Sequence, residues 1–121
     1  QRAEKIADDL SGPVRVVDWA ARDAALADAR LLVNTTTLGM TGKPPLEISL
    51  AGLPSEALVN DIVYAPLETA LLQAAKARGN ATVDGLGMLL HQGRPGFATW
   101  FGVEPAVTDA LRRHMLAGME G

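Results

Sequence analysis

Three short segments place polar side chains and glycine directly after an apolar run. The first is Asn34-Thr35-Thr36-Thr37-Leu38-Gly39-Met40. An amide and three hydroxyls at a strand end can hold a nucleotide's phosphate or ribose. The same groups also bond local backbone in ordinary turns and caps. The second is Asn60-Asp61-Ile62-Val63-Tyr64-Ala65-Pro66. A polar pair inside a strand, followed by Tyr64, sets a phenol at the sheet's rim. There it can hydrogen-bond a ligand carboxylate or hydroxyl, or stand half in the core with its hydroxyl in water. The third is Asp84-Gly85-Leu86-Gly87-Met88-Leu89-Leu90-His91-Gln92. Gly85, Met88, Leu89 and Gln92 fall at i, i+3, i+4 and i+7, on one helical face. A glycine at the helix start lets a ligand approach the backbone, Met88 and Leu89 make an apolar floor, and Gln92 is the polar group at its far end. A core stripe edged by Gln92 has the same spacing. Gly85-Leu86-Gly87 is not a dinucleotide fingerprint, because the sixth position is Leu90 rather than Gly or Ala.

Composition excludes several other chemistries. The chain has no cysteine, so disulfides, thiolate nucleophiles and cysteine metal sites are ruled out. His91 and His114 are the only histidines, which argues against a zinc site, and no Ser/His/Asp arrangement is evident. A net charge of -3 and a pI near 5.2 argue against a nucleic-acid groove and against an anionic membrane surface. No apolar run reaches the length of a membrane span.

The elements that must position these groups follow from periodicity. The 121 residues suit one compact domain, and 48% hydrophobic content with only 4% aromatics calls for an aliphatic core. Helices are expected over 2–10 and 20–29, with strands over 14–18, 31–33, 58–63 and 81–83. A helical turn is expected over 48–52. Pro66 is expected to open a helix closed by Gly79-Asn80, and 85–93, 95–101 and 104–118 to be helical. Short apolar strands alternating with helices predict an α/β fold, a parallel sheet with helices on both faces. In such sheets ligands bind beyond the carboxyl ends of the strands, where all three segments fall.

The first and third segments, with Asp61-Ile62-Val63-Tyr64-Ala65-Pro66-Leu67-Glu68-Thr69 between them, resemble successive motifs of shikimate dehydrogenases. Phe97, Trp100 and Gly102 continue the likeness, and Arg2-Ala3-Glu4-Lys5-Ile6-Ala7 resembles the helix after that family's Asn-Arg-Thr cofactor motif. The resemblance implies the C-terminal part of a Rossmann-like NADP-binding domain over 1–103. It implies a terminal helix over 104–121 that packs on an N-terminal substrate domain. Tyr64 and Gln92 match positions that hydrogen-bond shikimate. Ile62, Gly85, Met88 and Leu89 match the nicotinamide lining. Asn34, Thr35 and Thr36 match the segment near the cofactor's ribose and phosphates. The implied activity is the reversible, NADPH-dependent reduction of 3-dehydroshikimate to shikimate in aromatic amino-acid biosynthesis, in the cytoplasm. The family's catalytic Lys and Asp, its Gly-rich loop and the substrate domain are expected upstream of Gln1. The alternatives are a quinate/shikimate dehydrogenase using NAD and a non-catalytic fragment of the fold. By itself the chain is expected to be inactive and to self-associate through the apolar stripe between Pro105 and Met119.

Overall fold

The structure is a computed structural model that describes residues 2–119. Its elements are α1 (Arg2–Leu10), two 3₁₀ turns (Trp19–Ala21 and Ala24–Leu26), β1 (Leu31–Asn34), β2 (Leu58–Asp61), α2 (Ala70–Ala77), β3 (Thr82–Val83), α3 (Gly85–Phe101) and α4 (Asp109–Met119). The three strands form one parallel sheet in the order β1-β2-β3. Leu31 pairs with Leu58, Asn34 with Asp61, and Asn60 with Val83. The parallel α/β architecture read from the sequence is present.

Strand alternation sends Val59 and Asp61 of β2 inward, where both are fully buried. Val59 joins Leu26, Leu50, Leu53, Ala57, Leu71, Leu72 and Ala75 in a single aliphatic core, with Leu32, Leu46 and Ile48 packed around it. The residues between them on β1, Leu31 and Val33, are exposed, as is Val83 of β3. The core therefore lies on the α2 side of the sheet.

The carboxyl and amino ends of this core are both tied by buried polar groups. At the amino end Asn80 Nδ2 donates to the carbonyls of Pro54, Ser55 and Ala57 at 2.8, 3.1 and 3.0 Å. Arg78 Nη2 donates to the Leu53 carbonyl at 2.7 Å. Helix α2 ends there, and Gly79 takes the left-handed conformation (φ +89°) that lets the chain turn back into β3.

Several expected elements differ. Residues 14–18 form no strand, and Val14, Val16 and Val17 are exposed. A β-branched run gains a ladder only where a neighbouring strand accepts it. Residues 20–29 fold into 3₁₀ turns, not one helix: Asp18 caps the first by accepting from the Ala20 N–H (2.9 Å), and Arg22 Nε donates to the Glu47 carbonyl (2.9 Å). Residues 48–52 are not helical, and a turn closes from Leu50 to Leu53. Pro66 follows a cis peptide bond and does not open α2. That role falls to Thr69, whose hydroxyl accepts from the Leu72 N–H. The two helical pieces expected around Pro95 are one helix, α3. Proline removes one hydrogen bond there, and the turns on either side keep theirs. The last helix begins at Asp109, with residues 103–108 irregular.

Candidate functional site

The sheet is parallel, so β1, β2 and β3 all deliver their carboxyl ends to one edge. The three polar segments converge there. Asp61 is at its centre, with no solvent exposure. Its Oδ1 accepts from Asn34 Nδ2 (3.0 Å) and from the Val63 N–H (3.0 Å), and its Oδ2 accepts from the Thr69 hydroxyl (2.7 Å). One carboxylate thus joins the end of β1, the segment after β2 and the cap of α2. A buried carboxylate is tolerable only when donors replace its lost water, and three do so here.

Asn34 extends the network into the first segment. Its Oδ1 accepts from the Thr36 N–H (3.0 Å) and hydroxyl (2.8 Å), and its Nδ2 also donates to the Leu38 carbonyl (3.2 Å). The Thr36 hydroxyl in turn accepts from the Leu38 N–H (3.1 Å). The Asn34 and Thr36 side chains therefore shape the loop, as the turn-and-cap interpretation required. Thr35 is exposed at the same strand end. Thr35 and Thr36 both border a narrow, mainly apolar pocket of about 200 Å³ under Trp19, whose ring carries the Arg22 guanidinium 5.0 Å from its centre.

The second segment leaves the network at Val63, which is buried, and exposes the Tyr64 ring. Tyr64, Thr41, Ala65, Pro66 and Leu67 line an open cleft of about 430 Å³, whose other wall is Leu116 and Met119 of α4. The Thr41 N–H donates to the Ala65 carbonyl (2.8 Å), which joins the first two segments at the cleft's edge. Ile62 is half-buried between Asp61 and Val63.

The third segment starts α3 against this edge. Asp84 caps the helix by accepting from the Leu86 N–H (3.1 Å). Gly85 is buried so closely that a Cβ there would lie 2.2 Å from the Ile62 carbonyl oxygen and 2.6 Å from that of Val63. Only glycine lets the helix begin here. Leu86 is the residue that α3 sends into the interior. Met88 is exposed, Leu89 half-buried and Gln92 exposed. The face that carries them is open and is not a core stripe. Gln92 lies about 10 Å along the helix axis from Gly85 at 1.5 Å per residue. The structure thus gathers Asn34–Thr36, Ile62, Tyr64 and Gly85 at one edge, with Met88 and Leu89 in the next turn and Gln92 farther out.

Two features had no counterpart in the sequence reading. Thr69 was not singled out, although a Thr before an apolar helix is a cap signal. Arg112 pairs with Asp84, a contact that no local signal marks.

Comparison with known proteins carries the same pattern. The sequence profile of the Shikimate 5'-dehydrogenase C-terminal domain matches residues 85–116, which spans α3 and most of α4. A shikimate dehydrogenase (NADP(+)) of Paramagnetospirillum magneticum is 60% identical over 117 residues, covering 97% of this chain and 42% of that protein. The chain aligns with the C-terminal part of shikimate dehydrogenases. It spans about 42% of the length of the curated relatives it matches. Two solved structures share the fold. A quinate dehydrogenase from Corynebacterium glutamicum in complex with NAD superposes with a TM-score of 0.79 at 34% identity, covering 95% of this chain and 41% of that one. A shikimate 5-dehydrogenase from Thermus thermophilus in complex with NADP(H) and shikimate gives 0.72 at 35% identity, covering 88% and 38%. The parallel sheet and its helices are thus the Rossmann-like arrangement of shikimate and quinate dehydrogenases.

Proposed function

We propose that this chain forms the nicotinamide-facing and substrate-rim part of an NADP-dependent shikimate dehydrogenase. The observation that carries this reading is the convergence of Ile62, Tyr64 and the Gly85 end of α3 at the carboxyl edge of a parallel sheet, beside an open cleft. Relatives 60% and 58% identical to this chain bear the name shikimate dehydrogenase (NADP(+)), which supports the cofactor and the substrate.

The residues suit the nicotinamide end of such a cofactor. Half-buried Ile62 and Leu89 and exposed Met88 leave apolar surface open near the start of α3. A bound nicotinamide would supply hydride transfer, and Ile62, Met88 and Leu89 would hold its ring. The protein's task is orientation and exclusion of water. Gly85 sets the helix against β2, and the Asp61 network holds the segment that carries Ile62 and Tyr64. The Tyr64 phenol and the Gln92 amide hydrogen-bond the hydroxyls or carboxylate of shikimate. Thr35 offers a hydroxyl toward the cofactor's ribose or phosphates.

A second reading, a quinate dehydrogenase using NAD, draws support from the structural likeness to the C. glutamicum enzyme. Steady-state kinetics of the protein that carries this chain separate the two, with shikimate and NADP compared against quinate and NAD. Under the first reading Tyr64→Phe and Gln92→Ala each lower kcat/KM for shikimate by about ten- to a hundredfold, the loss of one bond to a charged or buried partner. KM for NADP moves less. Unchanged kinetics for both variants overturn the assignment.

A further inference from the structure

Helix α4 buries none of its residues completely. Leu116 and Met119 nevertheless form the wall of the cleft opposite Tyr64. Charged contacts hold the helix in that place. At its root, Arg94 of α3 donates Nε to the Pro105 carbonyl (2.9 Å) and pairs through Nη2 with Glu104 (2.7 Å). Within α4, Arg112 Nη2 donates to Asp84 Oδ2, while Asp84 Oδ1 accepts from the Leu86 N–H. One carboxylate therefore starts α3 and grips α4. Arg112, Leu116 and Met119 stand at i, i+4 and i+7, on one face of the helix. Holding Arg112 thus decides which residues face Tyr64.

We infer that Arg112 is a positioning residue: through Asp84 it holds Leu116 and Met119 as the apolar wall of the Tyr64 cleft and so sets the cleft's width. The ligand chemistry, which rests on the function proposed above, is a cyclic polyhydroxy acid. Such a molecule presents C–H faces to Leu116 and Met119 and hydroxyls to Tyr64. Arg113, one position on and exposed, carries the same charge and makes no ion pair among the described residues.

Tyr64 is the only tyrosine, so fluorotyrosine labelling of the chain gives a single fluorine-NMR resonance from the cleft. The expected result is a shift toward the free amino acid's value in Arg112→Ala and in Leu116→Ala, recovery in Arg112→Lys, and no change in Arg113→Ala. A resonance unmoved in both Arg112→Ala and Leu116→Ala overturns the inference, and needs no catalysis to be read. In shikimate oxidation, Arg112→Ala raises KM for shikimate about fivefold, the scale a partly exposed ion pair can sustain, with kcat and KM for NADP unchanged. A shifted resonance with unchanged KM for shikimate overturns the positioning role. Absence of shikimate oxidation by the complete, unsubstituted protein that carries this chain instead defeats the proposed function and leaves the resonance arm decisive for the wall.

Discussion

Each end of the sheet buries an asparagine, and the two are used differently. At the amino end, Asn80 donates to three carbonyls of the turn before β2, and its Oδ1 finds no donor among the described residues. Asn80 ties the connection between α2 and β3 to that one turn. At the carboxyl end, Asn34 bonds in both senses, as acceptor for Thr36 and donor to Asp61 and Leu38, and Asp61 passes the connection on to Val63 and Thr69. Exposed groups, Thr35 and Tyr64, stand directly on that network. The difference teaches that a buried polar group marks a site when it fixes several segments whose neighbours face solvent. Where it satisfies one turn alone, it contributes stability.

The largest effect should come from Asp61→Ala, which leaves the Asn34 amide, the Val63 N–H and the Thr69 hydroxyl without their acceptor. Unpaired buried groups cost about 1–3 kcal/mol each, so a loss of at least ~3 kcal/mol is expected in urea unfolding. A loss under ~1 kcal/mol would remove the carboxyl-end network from the comparison.

Gly85→Ala comes next. Its Cβ would meet backbone oxygen at 2.2 Å, and backbone cannot swing aside as a side chain can. A destabilisation of about 2–3 kcal/mol is expected from the forced shift of α3, with loss of shikimate oxidation as the cleft is displaced. Normal activity and an unchanged melting temperature would show that α3 does not need its close seat.

Asn80→Ala sharpens the contrast, because it should cost about 2 kcal/mol of stability and nothing else. KM for shikimate and for NADP should equal the unsubstituted values below the melting transition. A raised KM would mean that the two ends are coupled.

Tyr64→Phe sits at the other extreme. Tyr64 is 40% exposed and its ring stays, so thermal stability should change by no more than about 0.5 kcal/mol. A large stability loss would make its hydroxyl part of the fold and not of the cleft.

Much of this was legible in residue order. The apolar run at 31–33 and the helix over 2–10 appear where periodicity puts them, and the strand expected over 58–63 runs only as far as Asp61. The three polar segments were recognisable as strand-end material because each follows such a run and precedes a breaker or a helix cap. Pro66 misled, because its fixed φ suits a first helical turn, and only the Thr69 hydroxyl bridging Asp61 and Leu72 sets the true start of α2. Residues 14–18 misled for a different reason: β-branching makes a strand possible, and a ladder partner makes it real.

The sequence by itself determined the class of fold, the order of elements from β1 to α3 and which three segments meet at the carboxyl edge. These follow from side-chain period and from the rule that parallel strands send their ends the same way. Only the tertiary structure decided that Asn34 and Thr36 turn inward while Thr35 and Tyr64 face out, that Gly85 is required by the Ile62 carbonyl, and that Arg112 reaches Asp84. Asp84 and Arg112 lie 28 positions apart, Asn34 and Asp61 27, and such pairs depend on the path of the chain between them, which local periodicity does not encode.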